Sequence, residues 1–425
     1  MSQETDLSIV IATLNERENL ERLLPALGET LRSLGLRRPE VIVVDASSRD
    51  GTAETARALG ARVITVGRGY GLAVRTGLRE ALGSYVVTMD ADLSHGPDVI
   101  ERLWRARDPL TIGIASRYVP GGTATMGVLR AVLSRALNAV FARGLSLAVR
   151  DLSSGFRIYP AAVARGLVSR ASDFDVLPEL LVLARGEGWR IVEIPFDYRP
   201  RRSGRSKARV ARLGLAYLRT FARLWKLRNS IDAADYDERA FDSAVPLQRY
   251  WQRRRHAIVT KRTPASARVL DVGCGSSRIL RDLGDAAVGL DVAFNRLRYM
   301  SRYGKPVAQG SIFAIPFGDA TFDAVVCSEV IEHIPAGARP FAELSRVLRP
   351  GGTLVLGTPD YAKRSWRVLE RIYRIVAPGG YMDEHVTQYT HDRLRDLVVA
   401  RGYRHLHTDY VFRSEMILTF EKLPA

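Results

Sequence analysis

The 425-residue sequence predicts two α/β domains separated by a polar stretch, and three observations lead to that prediction. Short apolar strands alternate with amphipathic helices through the first half, which is the pattern of a parallel sheet covered by helices. A second unit of strand, glycine turn and helix begins near Arg268. Between the two, the composition turns polar and acidic from Asn229 to Ser243. The length agrees, because so long a chain seldom forms a single domain.

In the first half, strands are predicted at 7–12, 40–45, 62–66 and 86–92. Helices are predicted at about 18–34, from near Ala53, and up to about Leu82. Ligands of parallel α/β sheets bind at the carboxyl ends of the strands. Asp45, Arg68 and the pair formed by Asp90 and Asp92 follow such ends, so this edge of the sheet is the predicted binding site.

Asp90 and Asp92 close an apolar strand and are separated by one residue. Alternation along an extended strand puts both side chains on one side. Two adjacent carboxylates repel each other unless a cation lies between them. Mg²⁺ or Mn²⁺ takes such oxygen ligands and leaves positions for substrate phosphates. The pair therefore predicts a metal that binds a diphosphate, and the alternative is a solvated strand end.

The net charge of +17 favours anionic partners, namely phosphorylated substrates, an anionic membrane surface or nucleic acid. Nucleic acid ranks last and is not expected, because the basic residues follow the motifs below and one amphipathic helix. Cys274 and Cys327 are the only cysteines, which excludes a disulfide framework and suits a reducing cytoplasm. The polar N-terminus is unlike a signal peptide, and no apolar run is long enough to predict a membrane-spanning helix.

Five segments of the first half resemble, in the same order, the motifs of a known family. They are Thr13–Leu20, Asp90–His95, Ser116–Gly122, Asp151–Arg157 and Arg201–Lys207. They read TLNERENL, DADLSH, SRY followed by GG, DLSSGFR and RRSGRSK. Over about the first 230 residues the chain resembles family 2 glycosyltransferases of the GT-A fold, and within them the dolichol- or polyprenyl-phosphate mannosyltransferases. One position departs, because Ala46 stands where the family has a second acid, which leaves the donor base and sugar open.

The resemblance implies three sets of site residues. The nucleotide-sugar set is Thr13, Asn15, Glu16, Asp45, Arg68, Asp90, Asp92, Arg201 and Lys207. The acceptor set is Arg117, Ser154 and Arg157, and the catalytic set in this half is Asp92, Arg117, Asp151 and Arg157. Asp151 is either a base or the partner that orients Arg157. Glu179 is a second candidate acid, or simply the acid at a helix start.

The type of acceptor decides whether a base is required. A sugar hydroxyl needs a carboxylate to take its proton, whereas a lipid phosphate is already ionised and needs cationic contacts. The arginines of the acceptor set favour polyprenyl phosphate, with mannose from GDP-mannose as the implied donor. The alternative is a sugar hydroxyl of a growing glycan.

A basic amphipathic helix is predicted from Val210 to Arg228. Its apolar face carries Val210, Leu213, Tyr217, Phe221, Leu224 and Trp225, and its basic face carries Arg212, Arg219, Arg223 and Lys226. Such a helix is typical of a membrane interface, and the alternative is packing on the domain. We therefore expect a cytoplasmic protein, peripheral at the inner face of the membrane. The predicted divisions are a glycosyltransferase domain at 1–207, this helix at 208–229, a linker at 230–245 and a second domain at 246–425.

The second half opens with a strand that runs into the turn Gly273-Cys274-Gly275. Asp291 follows about 20 residues after the glycine turn, the spacing at which an acid binds ribose hydroxyls. The turn lacks a third glycine for a pyrophosphate. A ligand with one ribose and no phosphate therefore fits better than a dinucleotide. Ser276 is the predicted cap of the next helix.

Three further segments extend this pattern: Ile315–Val325, Ser328–Ile334 and Leu348–Gly352. From Arg268 to Glu421 the chain resembles class I S-adenosylmethionine-dependent methyltransferases of the methyltransferase 11 type. The implied cofactor-binding residues are Asp271, Gly273, Cys274, Gly275, Asp291, Gly310, Ser311 and Glu329. Relatives often carry an acid for the adenine amine where Ser311 stands, so the backbone around it takes that role.

Methyl transfer from a sulfonium requires alignment, and a base only when the nucleophile is a hydroxyl. His385 is the candidate base, and His333 is a second candidate for which a structural role is favoured. The sequence thus predicts a fused enzyme that transfers a hexose to polyprenyl phosphate and methylates a hydroxyl of a glycolipid or glycan. The alternative for the second half is a module that only binds S-adenosylmethionine or docks a partner.

Overall fold

The computed structural model describes residues 5–125, 128–198, 210–265, 267–376 and 385–424. The chain divides into two compact units. The first comprises Met1–Arg185 and Trp189–Arg228, and the second comprises Gly186–Gly188 and Asn229–Ala425. Arg201 and Lys207 of the predicted donor site lie outside the described residues.

The first unit is built on a seven-stranded sheet and a two-stranded one. Its strands are β1 (Leu7–Thr13), β2 (Glu40–Asp45), β3 (Arg62–Thr65), β4 (Tyr85–Asp90), β5 (Thr111–Ser116), β6 (Thr123–Ala124), β7 (Arg157–Pro160), β8 (Arg190–Pro195) and β9 (Asp197–Tyr198). The large sheet has the order β3-β2-β1-β4-β7-β5-β8, and β6 pairs with β9. Strand β7 runs antiparallel to both β4 and β5, so the expectation of a wholly parallel sheet is wrong there.

Helices cover both faces of this sheet. They are α1 (Arg17–Ser33), α2 (Thr52–Ala58), α3 (Tyr70–Glu80), α4 (Asp98–Arg105), α5 (Val128–Gly144), α6 (Ala161–Gly166), α7 (Val176–Gly186) and α8 (Val210–Arg228). Consecutive residues of β1 belong to different cores, Val10 to one and Ile9 and Ile11 to the other. This follows from the alternation of side chains along a strand, and it explains why the strands are apolar at nearly every position.

Helix α8 packs on the first unit through its described side chains. Leu224 is buried, and the ring of Phe221 meets that of Phe141 edge-on at 5.2 Å. Arg223 pairs with Glu179, and the Arg228 Nε donates to the Leu145 carbonyl at 2.9 Å. These residues of α8 therefore pack on the domain, which was the alternative to lying in a membrane interface.

Other side chains of α8 stay exposed, Leu218 at 69% and Trp225 at 50%. None of the helices in the described parts of the chain is both long and apolar enough to cross a membrane.

The second unit has a seven-stranded sheet of order β12-β11-β10-β13-β14-β16-β15. The strands are β10 (Val269–Val272), β11 (Val288–Asp291), β12 (Val307–Gln309), β13 (Phe322–Ser328), β14 (Leu348–Pro359), β15 (Tyr403–Val411) and β16 (Glu415–Lys422). The helices are α9 (Tyr236–Phe241), α10 (Pro246–Arg262), α11 (Arg278–Asp282), α12 (Phe294–Met300), α13 (Arg339–Val347), α14 (Arg364–Val376) and α15 (His391–Val399). Strand β16 runs antiparallel to both of its neighbours, β14 and β15.

The predicted linker at 230–245 is wrong, because this stretch contains α9 and belongs to the second unit. Its acidic residues bind parts of that unit. The Asp237 Oδ2 accepts from the Ser276 N–H at 3.2 Å, and the Glu238 Oε1 accepts from the Arg278 Nε at 2.7 Å. Ser276 is thereby engaged, and Ser277 rather than Ser276 caps α11. The acidic composition that suggested a linker supplies these partners.

Candidate functional sites

Asp90 is the last residue of β4, at the carboxyl edge of the first sheet, and its side chain is 30% exposed. Its Oδ1 accepts a hydrogen bond from the Tyr70 hydroxyl at 3.1 Å. Burial, with the charge of Asp90 beside it, raises the pKa of Tyr70 well above its ordinary value, so the hydroxyl stays a donor. Gly155 lies close by, since a Cβ there would be 2.6 Å from the Tyr70 hydroxyl and 3.5 Å from the Asp90 Oδ1.

His95, the last residue of the DADLSH motif, is buried and fixes the other side of Asp90. Its Nδ1 accepts from the Asp90 backbone N–H at 3.1 Å, so the proton of the neutral ring is on Nε2. That Nε2 lies 3.9 Å from the Asp90 Oδ2. Burial lowers the pKa of His95, and its ring stacks on Phe156 at 4.8 Å. Sequence reasoning gave His95 no role, although its place in the motif was a usable signal.

Asp92 does not continue the strand, so the alternation argument for the pair is wrong. It lies in the turn after β4, where Leu93 has a φ of +61°. Asp92 is buried, and its Oδ1 accepts from both the hydroxyl and the N–H of Ser94. A turn rather than an extended strand sets the positions of the two carboxylates.

The described residues of the first unit contain no group of three histidine, cysteine or acidic side chains close enough to hold an ion by themselves. The partly exposed carboxylate of Asp90 and the buried one of Asp92 nevertheless offer the hard oxygen ligands that Mg²⁺ or Mn²⁺ prefers. An ion there would need further ligands from water or a bound molecule.

The donor-side residues Thr13, Asn15 and Asp45 lie together, where the chain leaves β1 and β2. Asp45 is buried, and both of its oxygens accept from Ser48, one of them from the backbone N–H at 3.0 Å. The Asn15 backbone N–H donates to the Ser48 Oγ at 2.8 Å, while the Asn15 Oδ1 accepts from the Arg49 N–H at 2.9 Å. Asn15 has a φ of +53°, which asparagine tolerates better than most residues.

The remaining donor-side residues frame this edge of the sheet. The Thr13 Oγ1 reaches the Asp45 Oδ1 at 3.4 Å. Glu16 accepts from the Asn19 side chain at 2.6 Å, and its N–H donates to the Thr52 Oγ1 at 2.9 Å. Arg68 is exposed in the loop between β3 and α3.

Arg117 and Asp151 form a buried pair on the acceptor side. The Arg117 Nε and Nη2 donate to the two oxygens of Asp151 at 2.7 Å each, and the Arg117 backbone N–H donates to the Oδ2 at 3.1 Å. The Arg117 Nη2 also donates to the Ser153 Oγ at 2.8 Å. Asp151 thus orients Arg117, not Arg157 as predicted. Its full burial and its bonds to Arg117 leave it badly placed to act as a base.

Arg157 is fully buried, which is a further correction. Its guanidinium donates to three backbone carbonyls, those of Ser154, Leu177 and Leu152, at 2.7–2.8 Å. A guanidinium in this position holds three segments together and has no surface for an acceptor phosphate. Ser154, also expected to contact the acceptor, is buried beside it.

Asn138 of α5 is a residue that sequence reasoning missed. Its Oδ1 accepts from the N–H groups of Leu152 and Ser153 at 2.8 and 3.1 Å, and its Nδ2 donates to the Ser153 Oγ at 3.1 Å. It therefore fixes the loop that carries Asp151. The helix also carries Ser134 and three arginines, so its sequence did not single out Asn138.

In the second unit, a cavity of about 480 Å³ lies at the carboxyl ends of β10 and β11. It is lined by all eight predicted cofactor residues and by His333 and His385. Trp251 and Gln252 of α10 also line it, so this helix forms part of the cavity wall.

Asp271 and Asp291 line the cavity near the carboxyl ends of β10 and β11. The Asp271 Oδ2 is buried and has no hydrogen-bond partner among the described residues, so it can accept from an ammonium group. Burial and the charge of Asp291 raise the pKa of Asp271 to about 8. Asp291 accepts from the Gly275 N–H at 2.9 Å and the Ala293 N–H at 2.8 Å, one on each oxygen. Lone pairs remain on both oxygens for ribose hydroxyls.

The turn that lines the cavity requires glycine at both of its glycine positions. Gly273 has a φ of +70°, and a Cβ there would lie 2.3 Å from the Val330 Cγ2. Gly275 has a φ of +53°, and its Cβ would lie 2.7 Å from the Asp237 Oδ2. The Cys274 thiol is buried beneath the turn. These features fit a ligand with an ammonium and one ribose, which is what S-adenosylmethionine presents.

The far side of the cavity holds a buried charge network around Arg255. This guanidinium donates to both oxygens of Glu415 at 2.6 and 3.0 Å and lies 3.1 Å from a Glu329 oxygen. Burial raises the pKa of Glu329 well above its ordinary value, against the attraction of Arg255. Gly310 and Ser311 lie in the loop after β12, where the Ser311 Oγ accepts from the Phe313 N–H at 3.2 Å.

His385 is held by aromatic neighbours. Its Nδ1 lies 2.7 Å from the Tyr361 hydroxyl, and its ring stacks on Trp366 with the centroids 6.0 Å apart. The ring of His333 meets it at 4.9 Å.

Comparison with known families matches each half to one of them. The model of glycosyl transferase family 2 matches residues 8–160, and that of a methyltransferase domain matches residues 270–356. A polyprenol monophosphomannose synthase of Mycolicibacterium smegmatis is 31% identical over 244 residues, which are 53% of this chain and 89% of the relative. The chain belongs to glycosyl transferase family 2, and its second half contains a methyltransferase domain.

Two further similarities concern the separate halves. A dolichol-phosphate mannosyltransferase of Pyrococcus furiosus is 35% identical over 238 residues, and the chain covers 65% of its length. A solved S-adenosylmethionine-dependent methyltransferase of Thermotoga maritima, titled a possible histamine N-methyltransferase, is 19% identical, with a TM-score of 0.37. That similarity covers 44% of this chain and 94% of the other. The family resemblances and the two α/β folds expected from the sequence are confirmed.

Proposed function

We propose that the first unit transfers a hexose from a nucleoside diphosphate to polyprenyl phosphate, and that the second methylates a hydroxyl with S-adenosylmethionine. The observation that carries the first activity is the carboxylate of Asp90, which is partly exposed at the sheet edge and held by Tyr70 and His95. The cavity built around Asp271 and Asp291 carries the second. Mannose is the sugar that the names of the two relatives support, and GDP-mannose is the donor that the family resemblance implies.

In the donor half, Asp90 and Asp92 would hold Mg²⁺ or Mn²⁺, and the ion would neutralise charge on the departing diphosphate. Tyr70 and His95 keep Asp90 in one orientation, so its position does not depend on the ion. Thr13, Asn15, Glu16 and Asp45 shape the nucleotide side of this edge. Arg68, Arg201 and Lys207 add positive charge in the sequence motifs of the donor half.

The acceptor half favours a phosphate. Asp151 is buried and bonded to Arg117 through both oxygens, so it is not placed to deprotonate a sugar hydroxyl. An ionised phosphate needs no such base. Arg117 is 12% exposed and pinned by Asp151, and it is the residue we assign to the acceptor phosphate. Arg157 and Ser154 support the loop from within.

In the second unit, Asp271 would bind the ammonium of the cofactor and Asp291 its ribose hydroxyls. The backbone of Gly310 and Ser311 would take the adenine. His385, held by Tyr361, is placed on the cavity wall to handle the proton of a hydroxyl acceptor. The electron pair of the acceptor oxygen forms the new C–O bond as the C–S bond breaks, and the sulfur keeps the other pair.

The first activity is tested with the full chain, GDP-mannose, a short polyprenyl phosphate and Mn²⁺. A lipid-linked sugar is expected, lost with a chelator or in Asp90→Ala and retained in the exposed control Asp98→Ala. Transfer to a glycan hydroxyl with no lipid-linked product would overturn the assignment.

The second activity begins with cofactor binding. Calorimetry is expected to show that S-adenosylmethionine binds the full chain and Asp285→Ala but not Asp291→Ala. Absence of binding would contradict the methyltransferase assignment and favour a docking module.

A further inference from the structure

We propose that Glu332, His333 and His385 form a divalent-metal site in the second unit. Each offers one ligand atom, and the three atoms lie within 4.8 Å of one another. Glu332 is fully buried, whereas both histidines line the cofactor cavity. Two imidazoles and a carboxylate are the ligands of many catalytic zinc and iron sites, and the resemblance to methyltransferases does not predict them.

The backbone holds the segments that carry these ligands together. The carbonyl of Glu332 accepts from the N–H groups of Val386 and Thr387 at 2.8 and 2.9 Å. The Thr387 Oγ1 donates to the Ile334 carbonyl at 2.6 Å. His385 is therefore fixed beside Glu332 without an ion, so little conformational freedom would be lost when one binds.

Two neighbours orient the ligands. The Thr358 hydroxyl donates to the Glu332 Oε2 at 3.1 Å, while the Oε1 is buried and has no hydrogen-bond partner in the described structure. The Tyr361 hydroxyl bonds to the His385 Nδ1 at 2.7 Å and so orients the ring. Hydrogen bonds of this kind position ligands in metal sites. An unpaired carboxylate oxygen inside a protein is also costly, and a cation would satisfy it.

The ligand set suits Zn²⁺, Mn²⁺ or Fe²⁺ better than Mg²⁺, which prefers oxygen ligands. Three protein ligands leave at least one position open, as in catalytic zinc sites. On the proposed methyl transfer, the acceptor hydroxyl would take that position and release its proton to solvent. Its oxygen would then attack the methyl carbon, and the C–S electron pair would stay on sulfur. His385 would in that case act as a ligand and not as a base.

The site is tested by equilibrium dialysis with Zn²⁺ on the full chain carrying Asp90→Ala and Asp92→Ala, which removes the first unit's carboxylate pair. One bound equivalent is expected in this parent and in the control His391→Ala. It is expected to be lost in His385→Ala and Glu332→Gln. Calorimetry with S-adenosylmethionine on the same samples verifies that each variant is folded. Zn²⁺ binding by Glu332→Gln equal to that of the parent would overturn the site.

If His385→Ala fails to fold, two further measurements test the metal site and its role. X-ray absorption of the Zn²⁺-loaded parent should show two imidazoles in the coordination shell, and a shell of oxygens alone would contradict the proposal. Methylation in the presence of a chelator tests the role separately. Full activity without metal would overturn the role in acceptor activation, whereas loss of cofactor binding in the parent would instead count against the proposed methyltransferase.

Discussion

The guanidinium of Arg117 spans both oxygens of Asp151 at 2.7 Å, and Asp151 has no exposed side-chain surface. The two residues come from different motifs, 34 positions apart, and the loop of Asp151 is fixed in turn by Asn138 and Glu193. Because of this pairing, Asp151 is not a suitable base. It instead orients Arg117, the residue that we assign to the acceptor phosphate. The pairing is the main structural reason to favour a phosphate acceptor.

Asp151→Asn should destabilise the protein by about 3–5 kcal/mol, because it leaves the largely buried Arg117 without its counter-charge. Urea unfolding measures this change. Glu101→Gln is the control, since it breaks an arginine pair that is exposed on both sides and should cost less than about 1 kcal/mol. Equal losses of stability in the two variants would contradict the conclusion that Asp151 and Arg117 form a buried ion pair.

Arg157→Lys should lower stability by about 3 kcal/mol or more, because an ammonium cannot reach three carbonyls arranged around a planar guanidinium. The KM for polyprenyl phosphate should stay within about twofold in the folded fraction. Arg117→Lys is the comparison, and it should raise that KM by about tenfold or more. If Arg157→Lys alone raises the KM, the acceptor site lies deeper than proposed.

Gly155→Ala should slow sugar transfer by about 10–100-fold, because its Cβ would displace the Tyr70 hydroxyl and thereby Asp90. Removing that hydroxyl with Tyr70→Phe should restore part of the lost rate in the double variant. Gly166→Ala is the control, as nothing lies within 4 Å of a Cβ there. No rescue by Tyr70→Phe would show that the contact does not act through the hydroxyl.

Asp271→Asn should stabilise the protein without bound cofactor, increasingly so as the pH rises. Burial raises the pKa of Asp271 from its ordinary value of 3.8 to about 8. Between these values the folded chain holds a proton that the unfolded chain has released, so the free energy of unfolding falls as the pH rises. Asparagine removes this loss, which urea unfolding at about pH 5 and about pH 8 would measure. The exposed control Asp285→Asn should show no such trend, and a pH-independent gain in Asp271→Asn would refute the assignment.

Leu218→Ala and Trp225→Ala should each weaken binding to anionic vesicles by about tenfold, because both side chains are exposed on α8 beside Arg219 and Lys226. Cosedimentation with the full chain tests this. Leu59→Ala, an exposed leucine elsewhere, is the matched control. Unchanged binding in both α8 variants would place the membrane contact elsewhere.

Local signals in the sequence were enough for the first three strands, since β2 begins and ends as expected and β1 and β3 each differ by one residue. The roles of charged residues were harder to predict, because their partners depend on tertiary contacts between distant motifs. The sequence could not show that the buried Arg157 donates to backbone carbonyls or that Asp151 forms an ion pair with Arg117. Nor could it show that the acids at 230–245 bind the second unit. His333 and His385 were each visible, but their meeting beside Glu332 depends on backbone bonds between two loops.

The central claim is most directly tested by mass spectrometry of lipid-linked sugars formed with the full chain, a nucleotide sugar, polyprenyl phosphate and methyl-deuterated S-adenosylmethionine. The account predicts polyprenyl-phosphate hexose that depends on a divalent ion and on Asp90. It also predicts a deuterated methyl ether on a glycolipid or glycan hydroxyl that depends on Asp291. Absence of any polyprenyl-phosphate sugar, with transfer to a glycan hydroxyl instead, would contradict it.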